Sequence, residues 1–402
     1  ALRGFEELPP QLATGAEVLA LVQEDRLVAK SEEAVFQWCV RWWEAGERPE
    51  AELLAVMKHV RFVAMSSGFL RETVGAWPAL RSAEARDMLF NAVLPAVDGT
   101  KVVPRSGFGP RLIYVVGGDV DGDVDDGVEL YDPKNSSWTQ LASMTAPRIG
   151  HGCVALDGKL YAVGGSGAGT SEVPVGYTAE VYDPQADRWQ PLADMSTVRC
   201  GLTLAAVGGK IYAIGGYSEV ETAEVSSVEA YDPQLGAWAP VADMSVEREW
   251  HASVVLDGKI YAMGGAPLNF AQATMQATVE VYDPQADSWQ RVASMPQGRC
   301  DHAAAAMGGK IYVSGGSINW EENDSSVSSL FVYDPRADAW TQLASMGNAR
   351  RSHTSVTVGG KLYVGGGCAG ADSWEVYNPA SDSWTEELSL TSARDFFEAV
   401  VL

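Results

Sequence analysis

The chain has 402 residues, 46% of them hydrophobic, which suits a globular protein of two or three domains. Its formal net charge is −24, from 29 Lys and Arg against 53 Asp and Glu, and a surface this acidic repels phosphate backbones and anionic lipid. We therefore expect no nucleic acid and no membrane among its partners, and no apolar stretch reaches the roughly 20 residues of a membrane helix.

The first residues and the cysteines indicate a compartment. Residues 1–12 show no basic segment followed by an apolar one, so no secretory signal is predicted. Five scattered cysteines, an odd number, are not a disulfide framework. We expect a reducing compartment, the cytoplasm first and the nucleus as the alternative. The cysteines are Cys39, Cys153, Cys200, Cys300 and Cys368.

The region before residue 98 has helical patterns and no repeat. Ser31 followed by two glutamates predicts a helix N-cap with acidic first-turn residues. Apolar residues then recur at helical spacing over residues 35–43, and a second helix is expected near Pro49. We assign residues 1–97 to a small all-α domain and residues 98–110, with two prolines and three glycines, to a linker.

From Arg111 onward one unit recurs six times. Its first half reads RLIYVVGG, GKLYAVGG, GKIYAIGG, GKIYAMGG, GKIYVSGG and GKLYVGGG. Its second half reads VELYDP, AEVYDP, VEAYDP, VEVYDP, LFVYDP and WEVYNP, and a tryptophan follows each time. These tryptophans are Trp138, Trp189, Trp238, Trp289, Trp340 and Trp384.

The spacing within the unit separates scaffold from loop. From each tryptophan to the next glycine pair the steps run 138 to 164, 189 to 215, 238 to 264, 289 to 315 and 340 to 366, always 26. From glycine pair to tryptophan the step varies from 18 (366 to 384) to 25 (164 to 189). Length variation is tolerated in surface loops, so these loops lie between the glycine pair and the tyrosine strand.

Four short strands in about 50 residues make one propeller blade. The Gly-Gly, Tyr-Asp-Pro and Trp landmarks resemble the kelch family over residues 111–402, which predicts an all-β, six-bladed kelch propeller; an open solenoid is the alternative. Each internal unit opens with an arginine and a strand, which the first unit lacks and the C-terminal residues 394–402 supply. We therefore expect residues 396–401 to close the ring by pairing with residues 113–116.

The segments LVAKSEEAVFQWCVRWW and VMKHVRFVAMSSGFL are similar to the BACK domain of BTB-BACK-kelch proteins, roughly over residues 8–95. Taken with the repeats, the chain resembles the kelch-like substrate adaptors of cullin-RING E3 ubiquitin ligases of the cullin-three class. The resemblance implies a target protein or peptide on the propeller loop face and a cullin scaffold at the helical domain. The family's BTB domain, which supplies most of the cullin contact, does not precede BACK in this sequence; the chain is a fragment or has lost that activity.

Two sets of residues are predicted to bind the partner. The opening arginines should surround one mouth of the channel, where guanidinium groups suit acidic peptides; the alternative is a structural bond to backbone carbonyls. They are Arg148, Arg199, Arg248, Arg299, Arg350 and Arg394. Three aromatics that depart from the repeat, Tyr217, Trp250 and Trp320, are predicted as specific contacts because exposed aromatics dominate binding hot spots.

The remaining motifs favour structural roles. Four repeated histidines (His151, His251, His302 and His353) indicate scaffold, and the alternating aspartates near residue 121 lack the calcium-loop pattern. Cys200 and Cys300 each follow an arginine; redox sensing and small core residues both stay open. We predict that the protein uses no cofactor and no metal, has no set of catalytic residues and is not an enzyme. The function predicted is protein binding; the alternatives are a cytoskeletal or other scaffold and a kelch-type sugar-processing enzyme.

Overall fold

A computed structural model describes Cys39, Arg41, Trp42 and residues 112–133, 135–167, 175–266, 275–319, 325–368 and 372–402. Cys39, Arg41 and Trp42 are helical; the rest of the predicted helical domain, the predicted linker and Trp320 lie outside the described residues. The domain boundaries at residues 97 and 110 stay predictions. Within the described part of the chain, no helix has both the length and the apolar character to cross a membrane.

The described residues from 112 onward form 27 strands, which group into six blades, and one 3₁₀ turn at Val175–Tyr177. Blade 1 contains β1 (Ile113–Val120), β2 (Asp123–Asp132) and β3 (Ser137–Gln140). Blade 2 contains β4 (Gly152–Leu156), β5 (Lys159–Val163), β6 (Ala179–Asp183) and β7 (Arg188–Pro191). Blade 3 contains β8 (Thr203–Val207), β9 (Lys210–Ile214), the short hairpin β10 (Tyr217–Ser218) and β11 (Ala223–Glu224), β12 (Val228–Asp232) and β13 (Ala237–Val241).

The second half of the ring repeats this plan. Blade 4 contains β14 (Ala252–Leu256), β15 (Lys259–Met263), β16 (Val279–Asp283) and β17 (Ser288–Val292). Blade 5 contains β18 (Ala303–Met307), β19 (Lys310–Ser314), β20 (Leu330–Asp334) and β21 (Ala339–Leu343). Blade 6 contains β22 (Thr354–Val358), β23 (Lys361–Gly365), β24 (Ser373–Asn378) and β25 (Ser383–Ser389), and the chain ends with β26 (Arg394–Asp395) and β27 (Glu398–Val401).

Each of blades 2 to 6 is an antiparallel sheet whose first strand lies innermost, as in the order β14-β15-β16-β17, and in blade 1 β27 takes that place beside β1. The six innermost strands are neighbours around a closed circle, in the order β4, β8, β14, β18, β22, β27 and back to β4. The predicted six-bladed propeller is therefore confirmed.

The C-terminal strand completes blade 1. β27 pairs with β1 in antiparallel register, with Ile113 opposite Val401 and Val116 opposite Glu398. This is the pairing that the split repeat predicted. Both strands are buried over most of this stretch, so closure removes two sheet edges and fills the core between blades 1 and 6.

Neighbouring blades are joined by hydrophobic clusters and by repeated hydrogen bonds at their outer strands. The indole Nε1–H of Trp289 donates to the carbonyl of Ala242 in the preceding blade at 2.8 Å, and Trp189, Trp238, Trp340 and Trp384 make the matching bond. The tryptophans thus pack between blades, as predicted, although of these five only Trp189 is fully buried.

Candidate binding site at the channel mouth

The six repeated arginines lie inside the blades. Their exposed fractions run from 0% to 4%, and each donates to the carbonyl of the first glycine in its own blade's glycine pair, for example Arg248 to Gly264 at 2.7 Å. The other five bonds, 2.6 to 3.2 Å long, join Arg148, Arg199, Arg299, Arg350 and Arg394 to Gly164, Gly215, Gly315, Gly366 and Gly117. A partner at the mouth cannot reach these guanidinium groups without breaking the bonds.

A glutamate two residues before the repeated tyrosine neutralises most of these arginines. Arg248 Nη2 lies 3.1 Å from Glu280, and both side chains are essentially inaccessible. The same pair occurs in four other blades, as Arg148–Glu180, Arg199–Glu229, Arg350–Glu375 and Arg394–Glu129, at 2.7 to 3.5 Å. The sequence analysis missed these glutamates, although the letter E stands at this place in five of the six tyrosine motifs. The arginines therefore belong to the scaffold, and the direct contact predicted for them has no geometric support.

Arg299 is the exception because blade 5 has Phe331 where the other blades have glutamate. Its guanidinium carbon lies 4.9 Å from the centre of the Phe331 ring, a cation–π contact. Burial lowers the pKa of Arg299 to about 10, since its charge is desolvated without a carboxylate beside it.

Two residues after each arginine, the six blades contribute one residue each to a closed circle that we call the mouth ring. The backbone N–H of each member donates to the carbonyl of the member in the preceding blade, at 2.8 to 3.0 Å for five bonds and 3.4 Å for the sixth. All six have a left-handed backbone, with φ between 49° and 60°. The mouth ring consists of Gly150, Gly201, Trp250, Asp301, Ser352 and Phe396.

All six residues of the mouth ring have the same backbone conformation, but their side chains differ. Trp250 extends across the two glycines: a Cβ on Gly150 would lie 2.7 Å from the indole, and one on Gly201 would lie 3.1 Å from it. The Phe396 ring lies 5.1 Å from Trp250, centre to centre, and both residues are partly exposed. The small members of the ring thus make room for an aromatic pair at the mouth.

Of the three aromatics predicted as partner contacts, the structure brings Trp250 into the ring and places Tyr217 beside it. Tyr217 forms a two-way backbone bridge with Cys200, at 2.7 and 3.0 Å, next to Gly201, and is partly exposed. Trp320 lies outside the described residues. Phe396 was missed, although its place two residues after an arginine is the same as that of Trp250.

Carboxyl groups surround the aromatic pair. Burial raises the pKa of Asp301 in the mouth ring to about 7, with Arg351 opposing the shift. Burial, with help from Glu224 and Asp301, raises the pKa of Glu249 to about 7. Deeper in the channel, burial raises the pKa of Glu398 to about 8. The mouth therefore holds carboxyl groups that keep their protons up to about neutral pH.

A cavity of about 80 Å³ lies under the mouth ring and is lined by Asp301, Glu398 and the repeated histidines. The histidines are neutral there, because burial and the nearby arginine lower the pKa of His151 and His353 to about 3. His251 Nε2 lies 3.0 Å from the Thr203 hydroxyl. Within the described residues no group of three or more His, Cys, Asp or Glu side chains is placed to hold a metal ion.

The two cysteines that follow arginines are poor thiolates. Burial raises the pKa of Cys200 to about 11, and burial with the carboxylate of Asp301 raises that of Cys300 still further. The arginines next to them in sequence are occupied inside the blades, so the acidic mouth, not a cation, sets the thiol chemistry. The geometry supports the small-core reading of these two residues.

Comparison with known proteins agrees with this geometry. The family model described as the KLHDC2/KLHL20/DRC7 Kelch-repeats domain matches residues 91–265 and 201–394, and the BACK model, described as BTB And C-terminal Kelch, matches residues 6–75. Zebrafish Kelch-like ECH-associated protein 1A is 30% identical over 203 residues, covering 50% of this chain and 33% of that protein. Mouse Kelch-like protein 23 is 31% identical over 258 residues, covering 62% and 42%. Among solved structures, YjhT superposes with a TM-score of 0.57 at 16% identity over 68% of this chain and 96% of its own, which shows the fold alone.

Proposed function

This chain belongs to the kelch-repeat proteins with a BACK segment, and from that premise we propose that its propeller captures a protein partner at the channel mouth. The observation that carries the proposal is the aromatic pair Trp250 and Phe396. The ring needs no side chain at these positions, because Gly150 and Gly201 fill the same backbone role. Two partly exposed aromatics, at positions where the ring backbone requires no side chain, are available for binding.

We further propose that the captured protein is a substrate, and that the chain acts as a substrate-recognition adaptor of a cullin-RING E3 ubiquitin ligase. Membership of the kelch-like group and the BACK match over residues 6–75 support this role. The chain spans about a third to two fifths of the length of the curated relatives it matches. Contact with the cullin scaffold is therefore assigned to the helical domain, with any BTB segment as a further contributor.

Capture by matched variants tests the proposal. Trp250→Gly with Phe396→Gly keeps the left-handed backbone that the ring needs and removes both aromatics. Leu235→Ser is the control, since Leu235 is 78% exposed in the β12–β13 turn, at the opposite ends of the strands from the mouth. We expect proteins bound by the full chain and by the control to be lost with the double glycine variant at equal melting temperature.

The adaptor role has its own readout. The ubiquitin-modified fraction of a captured protein should fall in cells when the chain carries the double glycine variant. A partner held equally by all three proteins would show that the mouth is not the binding site. A partner lost with the variant, yet unchanged in ubiquitin modification, would favour a scaffold instead.

A further inference from the structure

Resting on the proposed function, we infer that the mouth receives a positively charged side chain, lysine or arginine, from a basic segment of the partner. This is the opposite charge from the acidic peptide that the repeated arginines suggested. Five of the six repeated arginines are paired with a glutamate inside the blades, whereas the carboxyl groups at the mouth have no such partner among the described residues.

The carboxyl groups stand at places where the repeat offers small or neutral residues. Asp301 takes a ring position that is glycine in blades 2 and 3. Glu398 occurs four residues after its arginine, a position filled in the other blades by Gly152, Thr203, Ala252, Ala303 and Thr354. Departures from a repeat that do not serve the scaffold are candidates for specific binding.

These carboxyl groups lack adequate partners within the described structure. Glu249 is 5% exposed, and no described residue gives its carboxyl group a hydrogen bond or an ion pair. The carboxyl group of Glu398 likewise receives none, and the contact made to Asp301 is a weak one from the Cys300 thiol at 3.7 Å. Arg351 offsets part of the charge on Asp301. Glu249 is the buried one of the three, since Asp301 and Glu398 are partly exposed. A carboxyl group without a partner keeps its proton, and a cation brought beside it favours the ionised form and is held as a charge-assisted pair.

A second observation points to a ligand that donates hydrogen bonds. His302 is 5% exposed and lines the cavity, and within the described residues neither of its ring nitrogens has a hydrogen-bond partner. Buried polar groups in native proteins are normally satisfied. Neutral imidazoles can accept the N–H donors that a guanidinium or an ammonium group carries.

The aromatic pair and the size of the cavity fit the same ligand. A cation within about 6 Å of an indole or phenyl face is attracted by the ring quadrupole. Trp250 and Phe396 line the same cavity as Asp301 and Glu398, so their rings are close to the place where the cation would lie. The cavity of about 80 Å³ takes the end of one side chain, whereas whole small-molecule ligands occupy pockets of roughly 300–1,000 Å³.

An array of synthetic nonapeptides, with mixed flanks and one fixed central residue, tests the inference on the full 402-residue chain. The central residue is arginine, lysine, citrulline, norleucine or glutamate; citrulline has the shape of arginine without its charge. We expect arginine peptides to be retained about tenfold better than citrulline peptides, the size of one charge-assisted contact. The preference should weaken as salt rises from 50 to about 500 mM.

Replacing two of the carboxyl groups by neutral side chains of the same shape tests whether they cause the preference for arginine. Asp301→Asn with Glu398→Gln should abolish the preference for arginine without lowering the melting temperature, because asparagine tolerates the left-handed backbone at residue 301. Equal retention of arginine and citrulline, a preference for glutamate, or an unchanged preference in the isosteric variant would each overturn the inference. If capture of the partner still depends on Trp250 and Phe396 in those cases, the proposed function stands and the inference about a basic side chain does not. If capture does not depend on these two residues either, both the inference and the proposed function are wrong.

Discussion

At the scale of single residues, the opening arginine of each blade links the glycine pair of that blade to its tyrosine strand by hydrogen bonds. Its guanidinium group donates to the carbonyl of the first glycine, in most blades to a further backbone carbonyl and, in five of the six described blades, to one buried glutamate. A buried ion pair adds little net stability over an apolar pair, but removing one partner leaves a desolvated charge. The arginine and the glutamate are therefore interdependent, and blade 5 provides a natural comparison.

Arg248→Met and Arg299→Met should differ in cost. Arg248→Met leaves the carboxylate of Glu280, whose side chain is 1% exposed, buried without its partner. It should lower the free energy of unfolding by about 3–5 kcal/mol. The second leaves no carboxylate, since Phe331 stands there, and should cost about 1–3 kcal/mol for unsatisfied carbonyls. Urea unfolding followed by tryptophan fluorescence measures both. Equal losses would mean that the glutamate pairing does not decide the stability of the blade.

Glu398 predicts a pH dependence of stability. Its pKa is raised from 4.5 to about 8 in the folded state, so between these values the folded protein holds a proton that the unfolded chain has lost. Stability is therefore lost as the pH rises through that window. The lowered pKa of His151 and His353 gives the opposite slope below about pH 6.5, because there the unfolded chain binds the protons. The contribution of Glu398 is therefore read from the difference between a variant and the wild type, in which the histidines cancel.

Glu398→Gln removes this group's titration. Differential scanning calorimetry should show a gap in melting temperature, variant above wild type, that widens from pH 5 to pH 8.5. Thr354→Ser, on the neighbouring inner strand, is the control and should keep the wild-type slope. A gap that stays constant with pH would show that Glu398 is solvated in the folded protein.

At the scale of elements, the constant step of 26 residues made the blade predictable. The structure gives its physical reason: that step runs from the outer strand, through the buried arginine, to the inner pair of strands, and hydrogen bonds fix every part of it. The charge of the mouth was not predictable in the same way. Glu249, Asp301 and Glu398 lie in different blades, and only the closed circle brings them together.

The repeated arginines show a second limit of prediction from sequence. A repeated arginine fits both a binding ring and a scaffold ring, and the spacing to its glycine pair is the same in either case. The glutamate before the tyrosine was the signal that separates them, because a repeated partner of opposite charge indicates an internal pair. Likewise, Phe396 and Trp250 could have been aligned by counting two residues from each arginine.

At the scale of the whole molecule, the propeller is closed by a strand that comes from the far end of the chain. The inner circle runs through β27 between β22 and β4, so its loss would leave a gap there and expose the edge of β1. The mouth ring would open as well, since Phe396 donates to Ser352 and accepts from Gly150. Both the core and the binding site therefore depend on the last eight residues.

Deleting residues 395–402 should abolish the cooperative unfolding of the propeller and the capture of the partner together. The deletion removes the four residue pairs between β1 and β27, and the hydrophobic contacts of Phe397, Ala399 and Val400 with their neighbours. Deleting Leu402 alone is the matched control, because it removes two backbone bonds to Leu112, at 3.2 Å each, and the packing of one partly buried side chain, and leaves β27 in place. Calorimetry should show a single transition, slightly lowered, for the control and none for the longer deletion. A longer deletion that melts like the intact chain would contradict ring closure by β27, because an open ring with an exposed edge at Ile113 cannot unfold as one unit with the stability of a closed one.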